Sequence, residues 1–171
     1  MEGLSFSEFT KKIYIQAPVE EIYRCWATEA GLCAWFLREA AFHHGAGTRR
    51  GSHDLARVGD RYAWKWHNSD AEETGTIFEA EDGRSLGFEF AGECRVRVSL
   101  EASGGRALVT LRQYGIPTDE KSKLVYHYGC STGWTFWLAN LKAWLEHGIL
   151  LNEKETDLRE DPLAGFEFVN I

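Results

Sequence analysis

Residues 119–147 read DEKSKLVYHYGCSTGWTFWLANLKAWLEH. Within that stretch Trp134, Trp137, Leu138, Leu141, Trp144 and Leu145 recur three and four residues apart, which places them on one side of a helix. Thr118 suits the cap of such a helix, Asp119 and Glu120 suit its positive end, and Gly148 suits its stop. The pattern predicts one long helix over 119–147 with a buried stripe made mainly of tryptophan. A stripe that bulky needs a broad apolar surface to lie against.

The residues upstream supply one. Residues 9–15 alternate, with Phe9, Lys11, Ile13 and Ile15 on one side, and predict a first strand. Further strands are predicted over 61–67, 74–81, 85–90, 94–100 and 107–114. Tyr62, Trp64 and Trp66 share one face of their strand, Leu86, Phe88 and Phe90 one face of theirs, and Cys94, Val96, Val98 and Leu100 one face of the next. Asp82-Gly83 and Gly104-Gly105 mark hairpin turns. Between the first strand and this meander, Ala17-Pro18 opens a short helix with Glu20 and Glu21 in its first turn and Ile22 and Trp26 buried. Thr28 caps a second, running through Leu32 to Trp35-Phe36. Residues 42–57, with His43-His44, Gly45, Gly47, Arg49-Arg50 and His53, predict a long irregular loop of the kind that serves as a lid or stays disordered.

Strand, two short helices, antiparallel meander and long C-terminal helix is the order of the helix-grip fold: α+β, a curved antiparallel sheet wrapped around one helix. The residues also resemble a known group. Ala17-Pro18-Val19-Glu20-Glu21-Ile22-Tyr23, then Trp26, Leu32 and Trp35-Phe36, is similar to the opening of the START-related SRPBCC superfamily. Gly59-Asp60-Arg61-Tyr62, Leu86-Gly87-Phe88 and Gly133-Trp134 followed by Leu138 and Leu141 resemble its branch named after the activator of the Hsp90 ATPase. The resemblance covers about residues 8–150, and one START-like domain over 1–171 is expected, with residues 151–171 as a tail. That tail carries Phe166, Phe168 and Val169, and is expected to lie on the body or on a second copy in a homodimer.

The resemblance implies a deep cavity between helix and sheet, used by relatives for lipids, sterols, hormones or aromatic polyketides and in a few for cyclase or dehydratase chemistry. The ATPase activators of eukaryotes add an N-terminal domain. With about eight residues before the first strand, that style of chaperone activation is not expected here. The leading expectation is a carrier or sensor of a small, apolar, aromatic or lipid-like molecule. A cyclase- or dehydratase-like enzyme and a stress- or chaperone-related interaction protein are the alternatives.

Composition narrows the classes. The 171 residues suit a domain with a sizeable core, and a formal charge of -7 speaks against nucleic acid and anionic membranes as partners. The 7 Trp and 10 Phe are more bulk than a plain core of this size needs, and aromatic side chains line ligand pockets. No signal segment or membrane span is expected, and Cys25, Cys33, Cys94 and Cys130 form no CxxC pair, which points to reduced thiols and a cytoplasmic setting. No metal and no cofactor are expected. His43-His44 would point to opposite faces of a strand, and no carboxylate or thiol stands at zinc spacing.

The expected ligand-lining residues are Trp35, Tyr62, Trp64, Trp66, Phe78, Phe88, Phe90, Gln113, His127, Cys130, Trp134, Trp137, Leu138 and Leu141. Gly129 and Gly133 are costly in a helix interior and are expected either to leave room beneath it or to let another backbone pack closely there. For catalysis the one weak candidate is His127, placed seven residues before Trp134 and able to titrate near neutrality. The other polar candidates are Tyr126 on the helix, Gln113 and Tyr114 at the end of the last strand, and Arg38 and Glu39 near the entrance.

Overall fold

The computed structural model describes residues 5–45, 47–155 and 162. Strand β1 (Glu8–Ile15) leads into helices α1 (Val19–Ala27) and α2 (Glu29–Trp35). Strands β2 (Glu39–His43), β3 (Arg61–Lys65), β4 (Glu72–Glu81), β5 (Ser85–Glu89), β6 (Arg95–Ser103) and β7 (Arg106–Tyr114) follow. A closing helical run begins at Glu120. The seven strands form one sheet in the order β1-β7-β6-β5-β4-β3-β2. Every pairing is antiparallel, so the sheet is the curved wall of a helix-grip fold.

Strand alternation sorts the two faces as the sequence implies. Val96, Val98 and Leu100 of β6 are buried, while Arg95 and Arg97 between them are exposed. Register then carries one inward row across the sheet: Phe9 lies opposite Gln113, Gln113 opposite Val96, Val96 opposite Phe88, and Phe88 opposite Ile77. Helix α1 buries Ile22, Tyr23, Cys25 and Trp26 against this wall. Thr28 caps α2 as expected, its hydroxyl oxygen accepting from the Gly31 N–H at 2.9 Å.

Three features depart from the sequence reading. The first is β2, a strand where loop or no element was expected. It pairs with β3, setting Ala41 opposite Ala63. Its outer edge is covered, which keeps another chain from pairing there. The Phe42 N–H donates to the Glu29 carboxylate at 3.2 Å, the Phe42 carbonyl accepts from the Arg50 N–H at 2.8 Å, and Arg49 holds Glu29 with two bonds of 3.0 Å. Residues 47–57 are therefore tied down, not a free lid.

The second departure is a bulge in β4. Ile77 pairs with Phe88 but Glu79 pairs with Gly87, so Phe78 is the extra residue. The bulge turns Phe78 to the outer face. There its ring lies so close over Gly87 that a Cβ on that glycine would meet it at 2.5 Å, and the Arg95 guanidinium sits 5.2 Å from its centroid.

The third lies in the closing helix, which is not uniform. A short α turn, α3 (Glu120–Ser122), passes into seven residues of π-helix, Lys123–Gly129, and only then into α4 (Cys130–His147). No residue of the π stretch is buried, whereas α4 buries Trp134, Trp137, Leu138, Asn140 and Leu141. Gly148 ends the helix in the left-handed conformation, φ 66°, that glycine adopts without strain. Beyond it, Asn140 gathers the chain back: its amide donates to the Trp35 carbonyl at 2.6 Å and to Asn152 at 3.1 Å, and its oxygen accepts from the Leu151 N–H at 2.6 Å. The tail residues Phe166, Phe168 and Val169 lie outside the described residues. Among those described, no helix is long and apolar enough to cross a membrane.

Candidate functional site

Where α4 begins, the helix stands off the sheet and leaves a cleft of about 100 Å³ lined by Phe36, Trp66, Phe90, Cys130, Gly133, Trp134 and Trp137. Gly133 makes the space. A Cβ built there meets nothing within 4 Å. Gly129 is exposed and faces only its own helix, so it contributes no room. Small-molecule pockets usually measure roughly 300–1,000 Å³. The deep cavity that the sequence resemblance implied is thus reduced to a cleft of one-ring size at the start of α4, and the protein's own rings take up the space behind it.

Those rings form a continuous layer. Trp134 lies 5.2 Å from Phe90, 5.6 Å from Phe36 and 5.8 Å from Trp26, centroid to centroid. Phe36 lies 4.9 Å from Trp137, and Trp66 lies 6.0 Å from Phe36. Offset and edge-on pairs of this kind hold one another by burial and quadrupole attraction.

The expected lining residues divide into three groups. Trp66, Phe90, Cys130, Trp134 and Trp137 come together around the cleft. Trp64 and Phe88, both fully buried, stand behind them, 5.1 Å apart. Tyr62 is also behind, its hydroxyl donating to the Glu89 carbonyl at 2.5 Å. Gln113 is fully buried beneath Trp134, whose indole N–H donates to the amide oxygen at 2.9 Å.

The rest are elsewhere. Trp35 donates its indole N–H to the Cys25 carbonyl at 3.1 Å and belongs to the α1–α2 core, as Leu138 and Leu141 belong to the core under α4. Phe78 is on the outer face for the reason given above. His127 needs the largest correction. Its ring stands edge-on to Phe6 at 5.2 Å and to Phe9 at 5.6 Å, on the β1 side, and does not line the cleft. A helical wheel of constant pitch put it on the face of Trp134, but the π turns between them rotate it away. Tyr126, on the same stretch, reaches the turn at Gly92. Arg38 and Glu39 pair with each other at 3.6 Å.

Sequence reasoning missed Glu73. It sits opposite Trp64 in the β3–β4 ladder, and opposed residues share a face, so its side chain points inward. Its carboxylate accepts the N–H of Ala91, next to Phe90, at 2.7 Å. Ala91 is held at φ 57°, a left-handed conformation unusual for a residue with a side chain. Burial pushes the Glu73 carboxyl above its ordinary range, and the Ala91 N–H only partly offsets this. The Cys130 thiol is pushed up to about 11, again by burial first, with the Glu73 charge adding to it. Cys94 is raised for the same first reason. Glu73, Cys94 and Gln113 thus form a polar cluster with Cys130, and Cys130 is the member that lines the aromatic cleft. The Gln113 amide nitrogen and the Trp64 and Trp26 indole nitrogens are buried donors without a partner.

A larger depression of about 680 Å³ runs beside β2 and β3, but its charges are mutually paired: Arg49 with Glu29, Arg38 with Glu39, and Lys65 with Glu39 and Glu72. Among the described residues no cluster of His, Cys, Asp or Glu could hold a metal ion.

Fold and cleft together define a helix-grip protein with an aromatic interior. The family model described as Activator of Hsp90 ATPase homolog 1-like protein matches residues 16–146, and the chain belongs to that family. No curated protein matches it in sequence. Among solved structures, protein SSP2350 of Staphylococcus saprophyticus is 21% identical with a TM-score of 0.66, over 84% of this chain and 95% of that one. The Aha1 dimer of Colwellia psychrerythraea is 19% identical with a TM-score of 0.65, over 82% and 97%. CalU16 of Micromonospora echinospora is 19% identical with a TM-score of 0.61, over 82% and 77%. At these identities the likeness is one of fold.

Proposed function

We propose that the chain binds a small, largely apolar molecule by taking one of its aromatic rings into the cleft beside Gly133, as a carrier or sensor. The observation that carries this is the missing side chain at Gly133, open space for 4 Å, inside a wall of Phe36, Trp66, Phe90, Trp134 and Trp137. A plain core would close such a gap, since an unfilled apolar void forfeits dispersion contacts. The π stretch just upstream supports the same reading. π turns inside α-helices often accompany functional sites, and this one holds no buried residue that would resist movement.

The test is native mass spectrometry of protein purified from its own host, beside a denatured spectrum. An extra mass present only under native conditions, and absent from Gly133→Leu, supports the reading. An extra mass that Gly133→Leu retains unchanged would remove the cleft from consideration.

A second copy of the chain is the partner favoured by one further observation. Leu124 (66% exposed), Val125 and Tyr128 (68% exposed) leave apolar surface on the π stretch, and the Colwellia neighbour is described as a dimer. Sedimentation should show a mass above that of one chain, returning to one chain in Leu124→Lys/Tyr128→Lys. A single-chain mass for the unaltered protein would refute it.

A further inference from the structure

Carboxylates seldom face inward beside aromatic rings without a task, because removing the charge from water costs far more than an unpaired polar group. Glu73 does so. It is opposite fully buried Trp64, and its backbone hydrogen bond goes to the residue after Phe90, which lines the cleft. Its field reaches the thiol of Cys130, another lining residue, and that of Cys94. Among the described residues no cation pairs with it within 4.0 Å, while ten other Glu and Asp side chains have such partners: Glu8, Glu29, Glu39, Asp60, Glu72, Glu79, Glu81, Asp82, Glu120 and Glu146.

We propose that Glu73 is a proton-transfer residue beside the cleft, acting on apolar carbonyl compounds that carry an acidic C–H beside the carbonyl. This rests on the ring-binding reading above. In the step, a Glu73 carboxylate oxygen takes the α-proton and becomes the carboxylic acid. The C–H electron pair forms the new C=C bond, and the carbonyl π pair moves to oxygen as an enolate. Glu73 then trades that proton with solvent and delivers a solvent-derived one to the same carbon, which is exchange, or returns the proton to the far carbon of a conjugated system, which is isomerisation, and no co-reactant is consumed. The surrounding rings leave the carboxylate half-buried, and this partial desolvation strengthens the base while solvent can still reach it. A carboxyl whose proton affinity burial raises above the ordinary carboxylate range is suited to this task. The Ala91 N–H fixes one carboxylate oxygen and leaves the other free to act.

The probe is phenylacetone, a single aromatic ring with a methylene between ring and carbonyl. Its methylene proton signal is followed by NMR in heavy water, and its binding is read separately by tryptophan fluorescence. Protein should speed exchange above buffer. Glu73→Gln, which keeps an acceptor for Ala91, should bind the ketone equally and lose roughly a hundredfold or more of the exchange rate. His127→Ala should exchange like the unaltered protein. Equal exchange by Glu73→Gln and the unaltered protein, with binding intact, overturns the proposal alone. Absence of any fluorescence response would instead sink the ring-binding reading and this proposal with it. Strong binding of phenethylammonium with no ketone exchange would overturn it in favour of a cation receptor, with Glu73 as the counter-ion.

Discussion

The indole N–H of Trp134 donates to the side-chain oxygen of Gln113 at 2.9 Å, joining the start of α4 to the end of β7 inside a fully buried setting. This bond fixes the amide's orientation, so the Gln113 nitrogen faces away from Trp134. Gln113→Leu strands the indole donor, and Trp134→Phe strands the amide oxygen. Each should cost about 1–3 kcal/mol, because a buried group left unpaired is paid for in desolvation. The double variant should lose less than the sum of the two, by about 1 kcal/mol, in a urea-unfolding cycle. Strict additivity would mean that the bond contributes nothing.

Gly133 is a helical position with open space in front of it. Gly133→Ala should therefore stabilise the protein by about 1 kcal/mol, through helix propensity and a less mobile unfolded chain. For a chain of this size that is a rise of about 2–4 °C in Tm. A fall in Tm would show that the cleft is narrower than its geometry indicates.

Asn140 makes three hydrogen bonds, to the Trp35 carbonyl, to Asn152 and from the Leu151 N–H. Asn140→Leu has nearly the same bulk but satisfies none of them. A loss of about 2–4 kcal/mol is expected, since several buried groups lose their partners at once. Hydrogen exchange should quicken first at Leu151, which loses its only acceptor among the described residues. Unchanged protection there would show that the segment after α4 is held by packing instead.

Burial raises the proton affinity of Glu73, which fixes the sign of a pH effect. The folded state holds this proton more tightly than the unfolded chain does, so the associated stability is full below the ordinary carboxylate range and declines as pH rises through the folded value. Its ionisable neighbours are Tyr62 on β3 and the Cys94 and Cys130 thiols, all of whose proton affinities the Glu73 charge raises further. Glu73→Gln should thus gain stability relative to the unaltered protein at pH 8 and lose that advantage near pH 4. An advantage that grows on acidification would contradict the burial argument.

Much of this architecture was readable in the sequence, since strand alternation and tryptophan spacing each report one periodicity. Val96, Val98 and Leu100 turned inward as read, and Thr28 capped α2 as read. What escaped reading is what breaks a period. Strand β2 is short and contains Ala40 and Ala41, residues that carry little strand signal, and its edge is completed by Glu29 from the preceding helix. The bulge at Phe78 reverses a face without changing composition. The π stretch adds residues per turn, so His127 projected onto the wrong side. Glu73 lies one residue before the expected start of its strand, in the run Asp70-Ala71-Glu72-Glu73, which reads as a polar turn. Only the register opposite Trp64 reveals its direction.

The support of that register is itself testable. Asp60 precedes β3 and is nearly buried, with a side-chain exposure of 3%. It takes two bonds from the Arg50 guanidinium, one of them 2.9 Å from the terminal nitrogen, and a third from the Arg57 N–H at 2.8 Å. Arg50 in turn donates its own N–H to the Phe42 carbonyl on the sheet edge, so Asp60 connects the entry of β3 to the cover of β2. Asp60→Ala leaves a largely buried guanidinium without its counter-charge, and breaking one side of a buried pair costs about 3–5 kcal/mol. Arg50→Met/Asp60→Leu removes both charges and should recover much of that loss, because the desolvation penalty of the pair disappears with it. Both are read by denaturant unfolding. If Asp60→Ala alone unfolds within about 1 kcal/mol of the unaltered protein, the pair is not what holds residues 47–57 against the sheet.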